Sequence, residues 1–456
     1  MSVDRSTQSF TAELAYAIDE ISLDSLPERV IESARQALLD WIACVLAGAG
    51  EDTARIGRSL LQESGSELPA TVIGTRLRAS VRDAAFANAL AAHALDFDSS
   101  TPWAWGHPVV PLISAALSLA EELDTTGSAL VEAVVVGFEA AASIGLATAT
   151  GLSTRGFHRT GSVGVFAAAA ASAKLSNIGP VDLQKVFSLA ATQAAGLKLV
   201  LNTMGKSLNA ARAAEAGLIA VKLVERGFTA PGDAIEGEFG YAMAFEGYLN
   251  PGRPKEVMQG KFGIENNTIK FHACCHATHS AIEGIRQLRT DHGVHGDDIA
   301  AISLQVPASA MSYCGVIEPR DAAESMFCFP HAAALAALGA STGPDGFTGA
   351  RVADPTVREM RQRVQVIPDP TAEHGSNPTK VRILLHSGIS LEACVSVFAD
   401  ASESGLRAQR TQVERKFLDA ANPLLGQAKA EQIVALVANI VELRSVRDLT
   451  CLLSLS

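Results

Sequence analysis

The sequence is poor in aromatic residues and in charge: Phe, Trp and Tyr make up 5% of its 456 residues, and Asp, Glu, Lys and Arg 19%. So few rings suit neither a β-sandwich core nor a surface that stacks nucleic-acid bases. Basic charge is short too, since 37 Lys and Arg face 49 Asp and Glu for a net charge of −12. That balance disfavours nucleic acid and anionic membrane surfaces as partners, so an acidic ligand must find a local basic pocket. No phosphate loop, dinucleotide fingerprint or nucleophile-elbow serine occurs, which leaves nucleotide-dependent chemistry and the common serine hydrolases without motif support. MSVDRSTQSF at the N-terminus lacks the apolar stretch of a secretory signal, and the seven cysteines are odd in number, so reduced thiols in a cytoplasmic protein are expected. The most apolar segment, Val134 to Leu152, is broken by Glu139 and reads as a buried helix rather than a membrane span.

What the chain does have is 48% hydrophobic content, which excludes a disordered chain, and a length that favours two domains. Val30, Ala34, Ala37, Leu38, Trp41 and Val45 recur at helical spacing. Ser80 with Asp83 reads as a capping box opening a helix toward Asp96, and Ala/Leu/Val stretches follow over Val110 to Leu123, Gly127 to Thr148, Ser162 to Leu175, Leu183 to Ala194 and Asn209 to Arg226. The texture changes after Phe262. β-branched alternation in Ala301 to Val306 and Val381 to Leu385, with helical sequence around Ala281 to Arg289 and His331 to Gly339, predicts an α+β domain. The expected fold is mainly α: an all-helical domain from residues 1–269 and 404–456, with a smaller α+β domain over 270–403 inserted in it.

Polar residues set in apolar sequence mark where chemistry would sit. Asp96, Asp98, Ser100 and His107 precede the helix after Pro111; they either cap helices or gather a carboxylate at a helix N-terminus. His93, inside the preceding helix, reads as a core histidine. Gly156-Phe-His158-Arg159-Thr160-Gly161 leads into Ser162, either as an anion site or as a loop with a solvated arginine. Lys206 lies at the head of a helix carrying Arg212. The densest stretch is Lys270-Phe-His272-Ala-Cys274-Cys275-His276-Ala-Thr278-His279, with Ser280 and Glu283 in capping-box register. Adjacent cysteines lack the usual zinc spacing, so no metal is assigned; the readings left are a thiol and carboxylate site at a helix N-terminus, or inert cysteines with surface histidines.

These stretches resemble the MmgE/PrpD family. The resemblance rests on HALDFDSS with GHP, GFHRTGSVG, Lys206 with NAARAAEAG, ERGFTAP with IEGEFGYA, KFHACCHATHSAIE, FCFPHAAA, ADP at Ala353 to Pro355, and the late Lys416-Phe417, in the family's order across nearly the whole chain. It implies a homodimer with a cofactor-free site in the cleft between the domains, lined by Asp96, His107, His158, Lys206 and Lys270, with Ser100 where a threonine is common. Two positions depart from the family's F-S-x-P-Y: Cys328 replaces serine and His331 replaces tyrosine. His276 stands where some members carry arginine, and Cys275 where the decarboxylase type carries histidine.

Family chemistry is bond making or breaking at the carbon next to a carboxylate. His107, Lys206, His158, Asp96 and His331 are the expected catalytic residues, and Ser100, Arg159, Lys270, Cys275 and His276 the expected substrate ligands, with a neutral histidine or a depressed-pKa lysine as base. The leading expectation is a 2-methylcitrate dehydratase-like lyase acting on a small polycarboxylate. The alternatives are epimerisation of an amino or imino polycarboxylate such as iminodisuccinate, with His331 and Cys275 suiting a two-base site, and cis-aconitate-type decarboxylation. Outside enzymes stand a carboxylate-binding protein and a structural zinc protein.

Overall fold

Alanine-rich sequence forms helices close to where its periodicity puts them. The computed structural model describes residues 9–61, 67–104, 106–148, 155–247, 249–250, 262–372 and 379–455. Glu28–Gly48 carries the first stripe and buries Trp41 completely. Ser80 accepts a hydrogen bond from the Asp83 amide and starts Val81–Ala92, after which come Val109–Leu123, Gly127–Ala147, Gly164–Leu175, Pro180–Ala191 and Gly205–Val224. Small residues let these helices approach closely. A Cβ on Gly217 would stand 2.6 Å from both Ala168 Cβ and Ala169 N, so the helix bearing Lys206 lies directly on Gly164–Leu175. The stretch expected to start at Ser162 is two pieces, Arg159–Ser162 and Gly164–Leu175, joined at Val163. Gly127–Ala147 is long and apolar enough to cross a membrane, yet 83% of its most apolar window is buried inside the protein. Residues 149–152 of the apolar segment noted above lie outside the described residues.

A two-stranded ribbon, β1 (Ala70–Thr71) and β2 (Arg78–Ala79), sits among the early helices. β3 (Ile299–Pro307), β4 (Val364–Asp369), β5 (Thr379–Leu385) and β6 (Ser390–Val395) form a sheet of order β4-β3-β5-β6, parallel between β3 and β4 and antiparallel elsewhere. Alternation signals only β3 and β5. The edge strands bury no residue fully, so their sequences carry Gln, Pro, Ser and Glu among the apolar residues. His279–His292 packs on β5, where a Cβ on Gly284 would meet Val381 Cγ2 at 2.7 Å. Thr278 is its N-cap residue; Ser280, expected to start it, accepts from the Val397 amide instead. The fold is mainly α with a smaller α+β part.

Two cores meet beside Asp96. Apolar residues from Leu26 to Ile269 share one core with Val413, Phe417, Ile433 and Leu453 near the end of the chain. A second, around Ile282, Leu304, Phe329 and Ile383, also takes in Cys44, Phe97 and Leu201 from the helical side. Lys416, on helix Glu403–Leu425, pins this junction: its buried ammonium donates to Asp40 Oδ1 (2.6 Å), the Phe97 carbonyl (2.8 Å) and the Lys270 carbonyl (2.9 Å), and lies 3.7 Å from the centre of the Phe97 ring. All three of its N–H bonds are satisfied. Lys416→Met would leave Asp40 buried without its cation, and we expect it to lower unfolding free energy by about 3 kcal/mol in urea titrations; an unchanged midpoint would contradict this account of the pin.

Candidate active site

Asp96 and Asp98 lie in the turn that follows Val81–Ala92, and Asp96 adopts the left-handed conformation (φ 47°) that only short polar side chains tolerate readily. Lys206 Nζ, from the first turn of Gly205–Val224, donates to Asp96 Oδ1 at 2.6 Å. Lys270 Nζ donates to the same oxygen at 2.8 Å, to the Asp96 carbonyl at 2.7 Å and to the Cys274 carbonyl at 3.1 Å. Burial alone would neutralise this carboxyl, but the two ammoniums outweigh it and hold Asp96 ionised well below the usual carboxylate range. Lys270 stays charged in turn: burial lowers its pKa, Asp96 and Asp98 raise it further, and the result lies above the ordinary value. Lys270 therefore does not supply the depressed-pKa lysine that the expectation of a histidine or lysine base left open.

The ammoniums differ in what they have left to offer. Lys270 is fully buried, with all three donors engaged by the protein, so it holds Asp96 rather than a substrate oxygen, which corrects its expected role as a ligand. Lys206 makes one such bond among the described residues and keeps two donors for an anion, with the Phe327 ring 5.8 Å from its nitrogen.

Asp98 serves two histidines. His93 Nδ1 lies 2.8 Å from Oδ1 and His107 Nδ1 lies 2.8 Å from Oδ2, while His107 Nδ1 also sits 3.1 Å from the Ser99 carbonyl. A carbonyl only accepts, so His107 carries a proton on Nδ1, and its Nε2 lies 3.8 Å from Asp96 Oδ1. His93 is buried, without a hydrogen bond at Nε2, and its pKa is lowered to about 4 by burial, against Asp98 and with Lys206. Its ring centre is 4.9 Å from that of His107 and 5.9 Å from that of His158. His158 is buried and neutral, its pKa depressed by burial and then by His93 and Lys206.

The remaining expected residues divide. Ser100 Oγ donates to His276 Nδ1 (3.1 Å), because His276 Nε2 donates to the Val397 carbonyl (3.0 Å). The pair tethers the Asp96 turn to the segment after β6. Cys275 is half-buried; the Cys314 thiol beside it pulls its pKa down against burial, and its charge is felt by Lys270 and Lys198. Two expectations are corrected. Arg159 is buried and donates to the carbonyls of Ala104 (3.0 Å), Gly145 (3.0 Å) and Thr148 (3.3 Å), which makes it a clamp on the end of Gly127–Ala147 rather than an anion ligand. His331 lies in the sheet-side core, with Nε2 donating to the Gly346 carbonyl (3.1 Å), Nδ1 accepting from Arg361 (3.2 Å) and its ring against Phe347. Both nitrogens are occupied, so it is no stand-in for a tyrosine at the reacting centre. Phe327, four residues earlier, is the one that faces Lys206.

The dense Cys/His stretch does not assemble for zinc. His272 is bound to Thr342 Oγ1 (2.8 Å) and Glu283 (2.9 Å), His279 Nε2 to the Cys274 carbonyl (3.1 Å), and the Cys274 thiol to Thr278 Oγ1 (3.0 Å). Among the described residues one trio, His93, Asp98 and His107, holds its donor atoms within 4.8 Å of one another. His93 Nδ1 is already bonded to Asp98 Oδ1 and His107 Nδ1 to the Ser99 carbonyl, and the Lys206 ammonium lies close by on Asp96. Asp98, read above only as a cap or a carboxylate gatherer, proves to be the hub of the histidines. Its signal was the i, i+2 pairing with Asp96 on a turn.

Comparison with known proteins gives the family. Residues 12–253 match the MmgE/PrpD N-terminal domain and residues 272–441 the MmgE/PrpD C-terminal domain. The chain belongs to the MmgE/PrpD family. It is 29% identical over 298 residues to the cis-aconitate decarboxylase-like protein oryM of Aspergillus oryzae, a match covering 62% of each chain. The cis-aconitate decarboxylase of Aspergillus terreus is 27% identical over 329 residues, covering 67% of this chain and 66% of that protein, so these two matches span just under two thirds of the relatives' length. The human cis-aconitate decarboxylase is 23% identical over 98% of this chain and 95% of its own.

The corrected place of His331 fixes a pH response. His93 and His331 are each held at a pKa of about 4, mainly by burial, against ~6.5 for an unfolded histidine. The folded state therefore favours the neutral rings: their contribution is complete above pH ~6.5 and is lost as pH falls toward 4. Glu139, raised by burial to about 8, runs the other way, its contribution complete below ~4.5 and lost through 8. We expect His331→Phe to be less stable at neutral pH, to show a smaller loss of stability between pH 6.5 and 4 in urea titrations, and to keep the shape of the pH–rate profile. A vanished limb in that profile would restore His331 to the chemistry.

Proposed function

We propose that this protein is a cofactor-independent lyase acting at the carbon next to a carboxylate of a small di- or tricarboxylate, and that its reaction is dehydration of the 2-methylcitrate type. The observation that carries this reading is the placement of His107: its Nδ1 donates to the Ser99 carbonyl with Asp98 Oδ2 2.8 Å away, and its Nε2 and the Lys206 ammonium both stand near Asp96 Oδ1. An α-proton next to a carboxylate is a very weak acid because the charge left behind falls on an anion. Lys206 would donate to that carboxylate and stabilise the charge as it develops. His107 Nε2 takes the α-proton, its electron pair forms the carbon–carbon double bond, and the β-hydroxyl takes a proton and leaves as water. Asp98 stabilises the imidazolium that forms, as an orienting carboxylate does.

A second reading is favoured by the names of the relatives. In a decarboxylase the bond to the carboxylate breaks, carbon dioxide leaves while the electron pair stays on the carbon, and His107, having first taken a proton from water at Nε2, delivers it to that carbon. Epimerisation, with His331 removed from the site, rests on Cys275 as the second proton carrier. The same proposal takes the protein to be a cytoplasmic homodimer. Exposed Leu197, Leu199, Met204 and Leu208, close to His158 and Lys206, offer apolar surface for a second copy.

Incubation in deuterium oxide with 2-methylcitrate, citrate, cis-aconitate and amino dicarboxylates, followed by proton NMR after chelation and dialysis, separates the reactions. We expect loss of water; loss of carbon dioxide would select the second reading, and deuterium wash-in alone the third. Inertness toward every acid would overturn the proposal. Lys206→Ala and His107→Ala should each lower turnover by at least ~100-fold with unchanged circular dichroism, and near-normal kinetics in both would place the chemistry elsewhere.

A further inference from the structure

His158 is positioned by a residue that has no role in the account so far. Its backbone N–H donates to the Gly196 carbonyl (3.0 Å), and its Nδ1 lies 3.1 Å from Asn209 Nδ2. The orientation of the Asn209 amide is decided by a second contact: the same Nδ2 lies 3.3 Å from the Leu197 carbonyl. A carbonyl only accepts, so the amide nitrogen must face it, and the other N–H of that nitrogen then points at His158 Nδ1. Nδ1 must therefore offer its lone pair, and the ring proton sits on Nε2.

The arrangement is rigid. Gly196 (φ +115°) has no side chain, and a Cβ there would stand 2.9 Å from Asn209 Cγ; one on Gly161 would stand 3.4 Å from Asn209 Cβ. Asn209 thus fills a slot between two glycines. The antiparallel bridge between Phe157 and Leu197 keeps the Leu197 carbonyl beside the His158 segment. His107 is set the opposite way, because its Nδ1 faces acceptors, Asp98 and the Ser99 carbonyl.

We propose that Asn209 is a positioning residue that fixes His158 as a neutral imidazole protonated on Nε2, so that His158 presents a hydrogen-bond donor where the neighbouring His107 presents a base. An imidazolium at position 158 would turn an Nδ1–H against the amide N–H. Burial first, then His93, stacked on the His158 ring, Lys206 and His107 disfavour the imidazolium, while Asp96 favours it. In the dehydration proposed above, such a donor suits the departing hydroxyl or a carboxylate oxygen. That use rests on the lyase reading; the tautomer does not.

Long-range proton–nitrogen NMR of protein labelled with nitrogen-15 in histidine reads the tautomer directly, with His158 assigned by its absence from the spectrum of His158→Gln. We expect an Nε2–H ring that titrates well below a free histidine. Asn209→Asp, which offers an acceptor in the same volume, should move the proton to Nδ1 and raise the His158 pKa. Asn209→Leu, which offers neither donor nor acceptor, should give a mixture of tautomers and covers the case in which the carboxylate variant fails to fold. In turnover, Asn209→Asp should lower kcat by roughly 10- to 100-fold with KM little changed. A wild-type ring protonated on Nδ1, or a tautomer unmoved in both variants, would overturn the proposal. Should no acid be turned over at all, the lyase reading fails while the spectra still decide the role of Asn209.

Discussion

One carboxylate oxygen holds the site together. Asp96 Oδ1 is shared by two ammoniums that reach it from different parts of the chain, while Oδ2 is buried without a hydrogen bond among the described residues. A lone buried carboxylate would pick up a proton, and a lone buried lysine would shed one; placed together they stay charged. In a chain of net charge −12, an acidic ligand would meet the donors that Lys206 does not spend on Asp96. The two lysines divide the work by valence: Lys270 closes the structure with all three donors, and Lys206 keeps donors for a ligand.

Around this cluster, the chemistry of each histidine is written by its second partner. Acceptors face Nδ1 of His107, and a donor faces Nδ1 of His158. In the reaction proposed above, these opposite settings would suit the first to take a proton and the second to donate a hydrogen bond. His93, stacked on His158 and edge-on to His107, is held neutral by burial and adds no positive charge to a crowded site.

The helices were legible because alanine and leucine recur at helical spacing over long stretches, and β3 and β5 because each buries one face. β4 and β6 were not, since edge strands need no continuous apolar face. In the site, Asp96, His107, His158 and Lys206 stood out as polar residues at turns and helix starts, and the structure brings them together. Direction was harder. His331 and Phe327 flank the start of one helix, and nothing in the local sequence tells which of them faces Lys206; the answer depends on Arg361 and Gly346, some 15 to 30 residues away, which claim the histidine. Arg159 was misread for the same reason, since its carbonyl partners belong to other segments. Asn209 was visible as the first residue of NAARAAEAG, but its meaning depends on a carbonyl at Leu197 that only folding brings near.

The pin through Lys416 gives the protein a sense of sequence in time. Asp40 and Lys416 are 376 positions apart, and the carbonyls of Phe97 and Lys270 that Lys416 also binds flank the Asp96 cluster. On the ribosome, most of the helical side can be made and begin to pack before residue 416 emerges. Until then the turn bearing Asp96 and the segment bearing Lys270 lack their common tie. A nascent chain, or one cut before helix Glu403–Leu425, would carry most of the residues described here and still leave the charged cluster unlocked. Competence therefore arrives late in synthesis, when a distant helix docks, rather than growing with each helix added.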